Sequence, residues 1–169
     1  MKLRPLLRAG LSAFALTSPA LADTALTVMM SGTPRGEVVV ADTGPHARRT
    51  VYGFQDRGRG PALTETVQND ARGVPLSLAI DGADYRKFPI QERFAATGAQ
   101  AAWKSDADEG RGAAGGFYVP NQSTPEDRAA LARALLAAPD HQLDLLPAGC
   151  AAIVAAGEQP VTGAAGPVT

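Results

Sequence analysis

Leu76-Ser77-Leu78-Ala79-Ile80, followed by Asp81-Gly82, is the stretch on which the fold reading rests. Large apolar residues alternate with small ones at a period of two, the repeat of an extended strand with one buried face. Leu76, Leu78 and Ile80 are expected to share that face. A one-residue slip would expose all three together, so the register is strongly specified. Asp81-Gly82 reads as the turn that ends the strand.

The same pattern recurs on both sides, from Thr24 to about Ser105. Upstream, Leu26, Val28 and Met30 alternate with Thr27, Met29 and Ser31 until Gly32-Thr33-Pro34 interrupts them. Val38-Val39-Val40 opens a second strand that Gly44-Pro45 closes, Tyr52 and Phe54 share a face in a third, and Leu63 with Val67 marks a fourth. Asn69 to Gly73 is a turn into the Leu76 strand. Downstream, Phe88, Ile90 and Phe94 form one apolar face, and Ala101 with Trp103 another. Short strands punctuated by Gly, Pro and Asp predict an antiparallel sheet. Glu92 falls on the inward side between Ile90 and Phe94, where a carboxylate must be paired, solvated at an edge, or costly.

One helix is expected over about 124–138. Thr124 is a good N-cap, Pro125 suits the first helical position, and Asp127 stands three residues after the cap. Leu131 and Leu135 recur at i, i+4 with Arg128 and Arg133 elsewhere on the surface, so the helix should dock on the sheet through these leucines. Pro139 stops it. Leu143, Leu145 and Leu146 lead into the turn Pro147-Ala148-Gly149, and Ala151 to Val154 suits a further strand. The fold class is therefore mainly β: a curved antiparallel sheet or partly closed barrel with one amphipathic helix. No repeat of fixed period points to a solenoid or propeller.

The first 22 residues read differently. Lys2, Arg4 and Arg8 precede an apolar stretch from Ala9 to Leu16, and Ala20-Leu21-Ala22 stands before Asp23, the pattern of a cleavable signal peptide. The apolar stretch is about half of what a helix needs to cross a bilayer, so no membrane anchor is expected after cleavage. The chain is expected to be exported, periplasmic or secreted. Cleavage would leave roughly 147 residues, enough for one domain, spanning 23–156, with 157–169 as a linker or the start of a further segment. It would remove three of the 16 basic side chains and none of the 17 acidic ones, leaving 13 against 17 and a net charge of −4. That balance argues against a nucleic-acid partner.

Catalytic chemistry finds little to work with. Only His46, beside a Gly-Pro turn, and His141, after the helix, could supply imidazole, and both are expected on the surface; nothing resembles H-x-H or H-E-x-x-H. Asp106-Ala107-Asp108-Glu109-Gly110 begins like a calcium loop, but Arg111 replaces the glycine needed at the sixth position, so a solvated hairpin turn is expected. Cys150, the single cysteine, cannot form an intrachain disulfide and is expected to be a small core residue. No G-x-S-x-G elbow is present. Asp56-Arg57-Gly58-Arg59-Gly60-Pro61 suits either an anion-binding concavity or, as preferred here, a hairpin whose arginines pair with surface carboxylates. No residue is assigned a catalytic, cofactor-binding or metal role.

Five strings in succession carry a resemblance: Asp56 to Pro61, Tyr85 to Arg93 (YRKFPIQER), Trp103-Lys104, Phe117-Tyr118-Val119-Pro120, and Leu145-Leu146-Pro147-Ala148-Gly149. Together they resemble the N-terminal region of exported bacterial amidohydrolase-family proteins, in which a β-rich domain precedes a metal-dependent hydrolase barrel. The resemblance covers roughly residues 25–155. It implies an accessory domain whose partner is a catalytic barrel of the same longer chain, acting on C–N bonds with a divalent metal such as zinc. The family's metal-binding histidines and aspartate have no counterpart in these 169 residues, so no catalytic role passes to a numbered position. The alternative is a small periplasmic binding or carrier domain whose curved sheet holds an apolar ligand against the helix.

Overall fold

The computed structural model of the chain describes residues 23–157, 161–163 and 166–168; the signal peptide expected over 1–22 lies outside them. Eight strands run in sequence order as an antiparallel meander: β1 (Thr24–Met30), β2 (Thr33–Gly44), β3 (Ala47–Phe54), β4 (Ala62–Asn69), β5 (Pro75–Ala83), β6 (Pro89–Thr97), β7 (Gln100–Lys104) and β8 (Glu109–Ala113). The mainly β fold with one helix is as expected, and of the two forms considered it is the open one. β1 and β8 are not paired, so the sheet does not close into a barrel.

After β8 the chain crosses one face of this sheet as a β-α-β unit. β9 (Phe117–Tyr118) and β10 (Gln142–Leu146) are parallel, joined by α1 (Pro125–Ala137), and β11 (Cys150–Ala152) adds antiparallel to β10. A two-stranded ribbon, β12 (Val161–Gly163) with β13 (Gly166–Val168), lies within the stretch read as a linker. None of the described helices is long and apolar enough to cross a membrane.

The core lies between the meander and the β-α-β unit. Leu63, Val67, Leu78, Ile80, Ile90, Phe94 and Ala101 project from the meander and meet Tyr118 and Leu146 from the crossing segment. Tyr118 stacks on Phe94 with ring centroids 4.4 Å apart and planes 9° from parallel. Its neighbour Phe117, one residue out of phase, packs instead with Ala130 and Ala134 of α1. Two adjacent aromatics on opposite faces of a two-residue strand thus join sheet to helix.

Four sequence expectations change here. Leu76 does not share the buried face of Leu78 and Ile80: it is 42 % exposed, against 3 % and 0 %. Ser77 pairs with Gln68 and Pro75 with Asn69, so Leu76 is an extra residue in a bulge and leaves the alternation. Asp81-Gly82 does not end β5, which continues to Ala83. Gly82 is instead a point of close approach, with φ +150° and Ala62 O only 2.0 Å from where a Cβ would stand. Phe88 is 62 % exposed, because the Asp84 carboxylate accepts bonds from Arg86 N and Phe88 N and holds Phe88 in the turn before β6. The helix docks less through leucines than expected. Leu135 is buried but Leu131 only half so, and the buried face is completed by Asp127, Ala130 and Ala134.

Candidate functional site

Two buried polar clusters stand out on the inner face of the meander, and both tie the crossing segment to it. In the first, Glu92 is 1 % exposed. Its Oε1 accepts bonds from the Tyr118 hydroxyl at 2.7 Å and Asn121 N at 2.8 Å, and its Oε2 from Gln122 N at 3.1 Å. Pairing is therefore how this inward carboxylate is accommodated. Burial, and then the bond to Glu92, push the Tyr118 hydroxyl well above the usual tyrosine range. Tyr118 stays a donor at any ordinary pH.

The second cluster joins β3, β4 and α1. Arg48 Nη2 donates to Glu65 Oε1 and to Asp127 Oδ1, each at 3.2 Å. Asp127 Oδ2 accepts from Thr124 N at 2.7 Å and Thr124 Oγ1 at 3.0 Å, so the residue that caps the helix also anchors it. Glu126 is held by Arg133 and lies 3.9 Å from Arg48 Nε. Glu65 has no exposure at all, and its Oε2, Arg48 Nε and Thr50 Oγ1 have no hydrogen-bond partner among the described residues. This cluster did not emerge from the sequence reading, although Glu65 sits between inward Leu63 and Val67 just as Glu92 sits between Ile90 and Phe94. The same period-two signal would have found it.

The residues singled out from sequence are scattered. His46 is exposed in the β2–β3 turn with φ +59°, and His141 is exposed with Nδ1 3.3 Å from Leu135 O. No group of three His, Cys, Asp or Glu able to hold a metal occurs among the described residues. Asp106 to Asp108 lie in the β7–β8 turn and Glu109-Gly110 open β8; Asp108 Oδ2 accepts from Trp103 Nε1 at 3.0 Å. Gly110 leaves room for that indole, since a Cβ there would stand 2.5 Å from the ring.

Asp56 and Arg59 close a tight two-residue hairpin, with Asp56 N to Arg59 O 2.8 Å and Arg59 N to Asp56 O 2.9 Å. Arg57 and Gly58 both have positive φ, which is the primed hairpin turn and not an anion cradle. The expected carboxylate pairing is not seen: neither arginine forms an ion pair among the described residues, and Asp56 instead accepts the Tyr85 hydroxyl at 2.7 Å.

Cys150 corrects a further expectation. It is exposed, because β11 is an edge strand and Cys150 pairs with exposed Asp144. A thiol reagent is therefore expected to label the native chain to one equivalent, at a rate within about tenfold of the unfolded chain. Labelling that required denaturant would contradict that exposure.

The outer face of the meander is different in kind. Registers place Thr66, Ala79, Arg93 and Lys104 in one row across β4–β7, and Gln68, Ser77, Ala95 and Ala102 in the next. Small side chains there leave a trough of about 630 Å³. Arg93 reaches along it to grip both oxygens of Asp81, at 2.7 and 2.9 Å, which holds that carboxyl below its usual range. Comparison of the chain with protein-family models, curated proteins and solved structures gives no match.

Proposed function

We propose that this chain is the β-rich accessory domain of an exported amidohydrolase-like enzyme, using the outer face of its sheet as a platform for a catalytic barrel. The observation that carries the reading is the contrast between the two faces. One is sealed by a core and two buried polar clusters; the other offers a trough with Thr, Ser and Ala side chains at Thr66, Ser77, Ala79, Ala95 and Ala102. A patch of small side chains, bordered by Gln68, Arg93 and Lys104, admits a second domain at close range.

The strings behind the resemblance support it as a set of folding elements. Tyr85 bonds to Asp56, Lys87 Nζ donates to Gly60 O at 2.6 Å, Glu92 accepts from Tyr118, and Tyr118 pairs beside Leu146. Four of the five strings are thus in contact with one another in the fold. In this reading the metal and its ligands belong to the barrel, and residues 23–156 contribute no reacting group.

The test is the reading frame beyond Thr169, which is expected to continue for several hundred residues. A barrel alone requires about 250, with an H-x-H pair at a strand end, further histidines and a metal-binding aspartate. A stop codon shortly after Thr169 would sink this proposal. The binding-domain reading would then stand better, with one change. The space between sheet and helix is filled by Ile80, Phe94, Tyr118 and the Arg48 cluster, so an apolar ligand would occupy the outer trough.

A further inference from the structure

The Arg48 cluster holds more negative charge than positive in a space closed to water. Two carboxyl groups, Glu65 and Asp127, share a single nitrogen of a single guanidinium, each at 3.2 Å. Glu65 is fully buried and Asp127 is 5 % exposed, so solvent cannot balance the excess. Two like charges in such a position do not both ionise; one of them retains a proton.

Hydrogen bonding decides which one. Asp127 accepts three bonds, from Arg48 Nη2, Thr124 N and Thr124 Oγ1, and its charge is well supported. Glu65 accepts one, at Oε1, while Oε2 meets no donor among the described residues. We propose that the Arg48–Glu65–Asp127 cluster is a proton-binding site, in which a proton held by Glu65 fastens α1 to the meander and its release loosens the helix.

Every element around Glu65 bears on this. β3 presents Arg48 and the neutral Thr50 hydroxyl, β5 presents apolar Ile80 directly opposite, and α1 presents Asp127, with Glu126 occupied by Arg133. Burial is the largest influence and Asp127 adds to it, while Arg48 opposes both; the Glu65 carboxyl is pushed up to about 9. In the unfolded chain it would release its proton near the ordinary glutamate value. Between those two values the folded chain holds one proton more than the unfolded chain, so stability falls as pH rises across that window and levels off above it. The stabilising contribution is therefore complete only below the ordinary glutamate value and is gone above about 9, although the folded chain still holds the proton at neutral pH.

The experiment is carbon NMR of the full chain labelled at glutamate side-chain carboxyls, titrated from pH 4 to 10. One resonance is expected to remain in the protonated position at pH 7, and Glu65→Gln should remove that resonance. Unfolding followed over the same range should show the unfolding constant rising about tenfold per pH unit more steeply in the native sequence than in E65Q. Should E65Q not fold, Asp127→Asn serves instead, and is expected to move the high midpoint downward by removing the neighbouring charge. If all glutamates titrate together between about pH 4 and 5, the proposal fails. It fails equally if E65Q keeps the native pH slope.

Discussion

Glu92→Ala is expected to destabilise the chain by about 3–5 kcal/mol, because it strands the buried Tyr118 hydroxyl together with two part-buried backbone donors. The Tyr118 hydroxyl, Asn121 N and Gln122 N all direct their hydrogens at this one carboxylate. Leaving a buried donor unsatisfied costs about 1–3 kcal/mol, and the losses here are partly shared because relaxation of the loop can return some of them to water. Against a typical total of about 5–15 kcal/mol, that is a large fraction. Tyr118 also stacks on Phe94, so the damage should reach the core and alter the near-ultraviolet signal of Tyr118 and Trp103. Glu92→Gln should lose less, since it keeps an acceptor for two of the three donors. Urea midpoints for the two variants and the parent settle the matter. A loss below about 1 kcal/mol for the alanine variant would mean that the crossing segment is not held by this carboxylate.

The sheet was legible because its information is local. Alternation at Leu63, Val67, Leu78, Ile80, Ile90 and Phe94 marks one face residue by residue, and Gly-Pro and Asp-rich strings mark the turns between strands. Closure was not legible, because whether β1 meets β8 depends on twist summed across the sheet and not on any short string. Leu76 and Phe88 were misread for a related reason. Parity arguments assume unbroken pairing, and a bulge at one residue and an aspartate-held turn at the other reset the phase. β9 is only two residues long, too short for any period, yet it carries Tyr118 and Phe117 into both halves of the core. Glu92 was found by its place between two inward residues, whereas Arg48 stands at the start of β3 with no flanking pattern to mark it as buried. Asp127 was read as a cap partner; that a cap could also be the docking point of a helix is visible only once the helix is placed.

Arg48→Met tests that docking point, with an expected loss of about 3–5 kcal/mol, the range for breaking a buried ion pair by deleting one partner. Methionine replaces the aliphatic part of the side chain at similar length, so packing volume is nearly kept. What disappears is the one cation between Glu65 and Asp127. Asp127 would keep its two Thr124 bonds but would face a buried carboxyl with no counter-charge. Because the cluster spans from sheet to helix, the loss should appear first as detachment of α1, seen as proteolysis or fast hydrogen exchange within Pro125–Ala137 while β3–β6 stay protected. Glu65 would lose its one hydrogen-bond donor in a fully buried position, so Arg48→Met combined with Glu65→Leu, which removes that unpaired polar group, is expected to be more stable than Arg48→Met alone, although it carries one substitution more. Equal or lower stability of the double variant would show that Arg48 acts through packing of its stem and not through its charge.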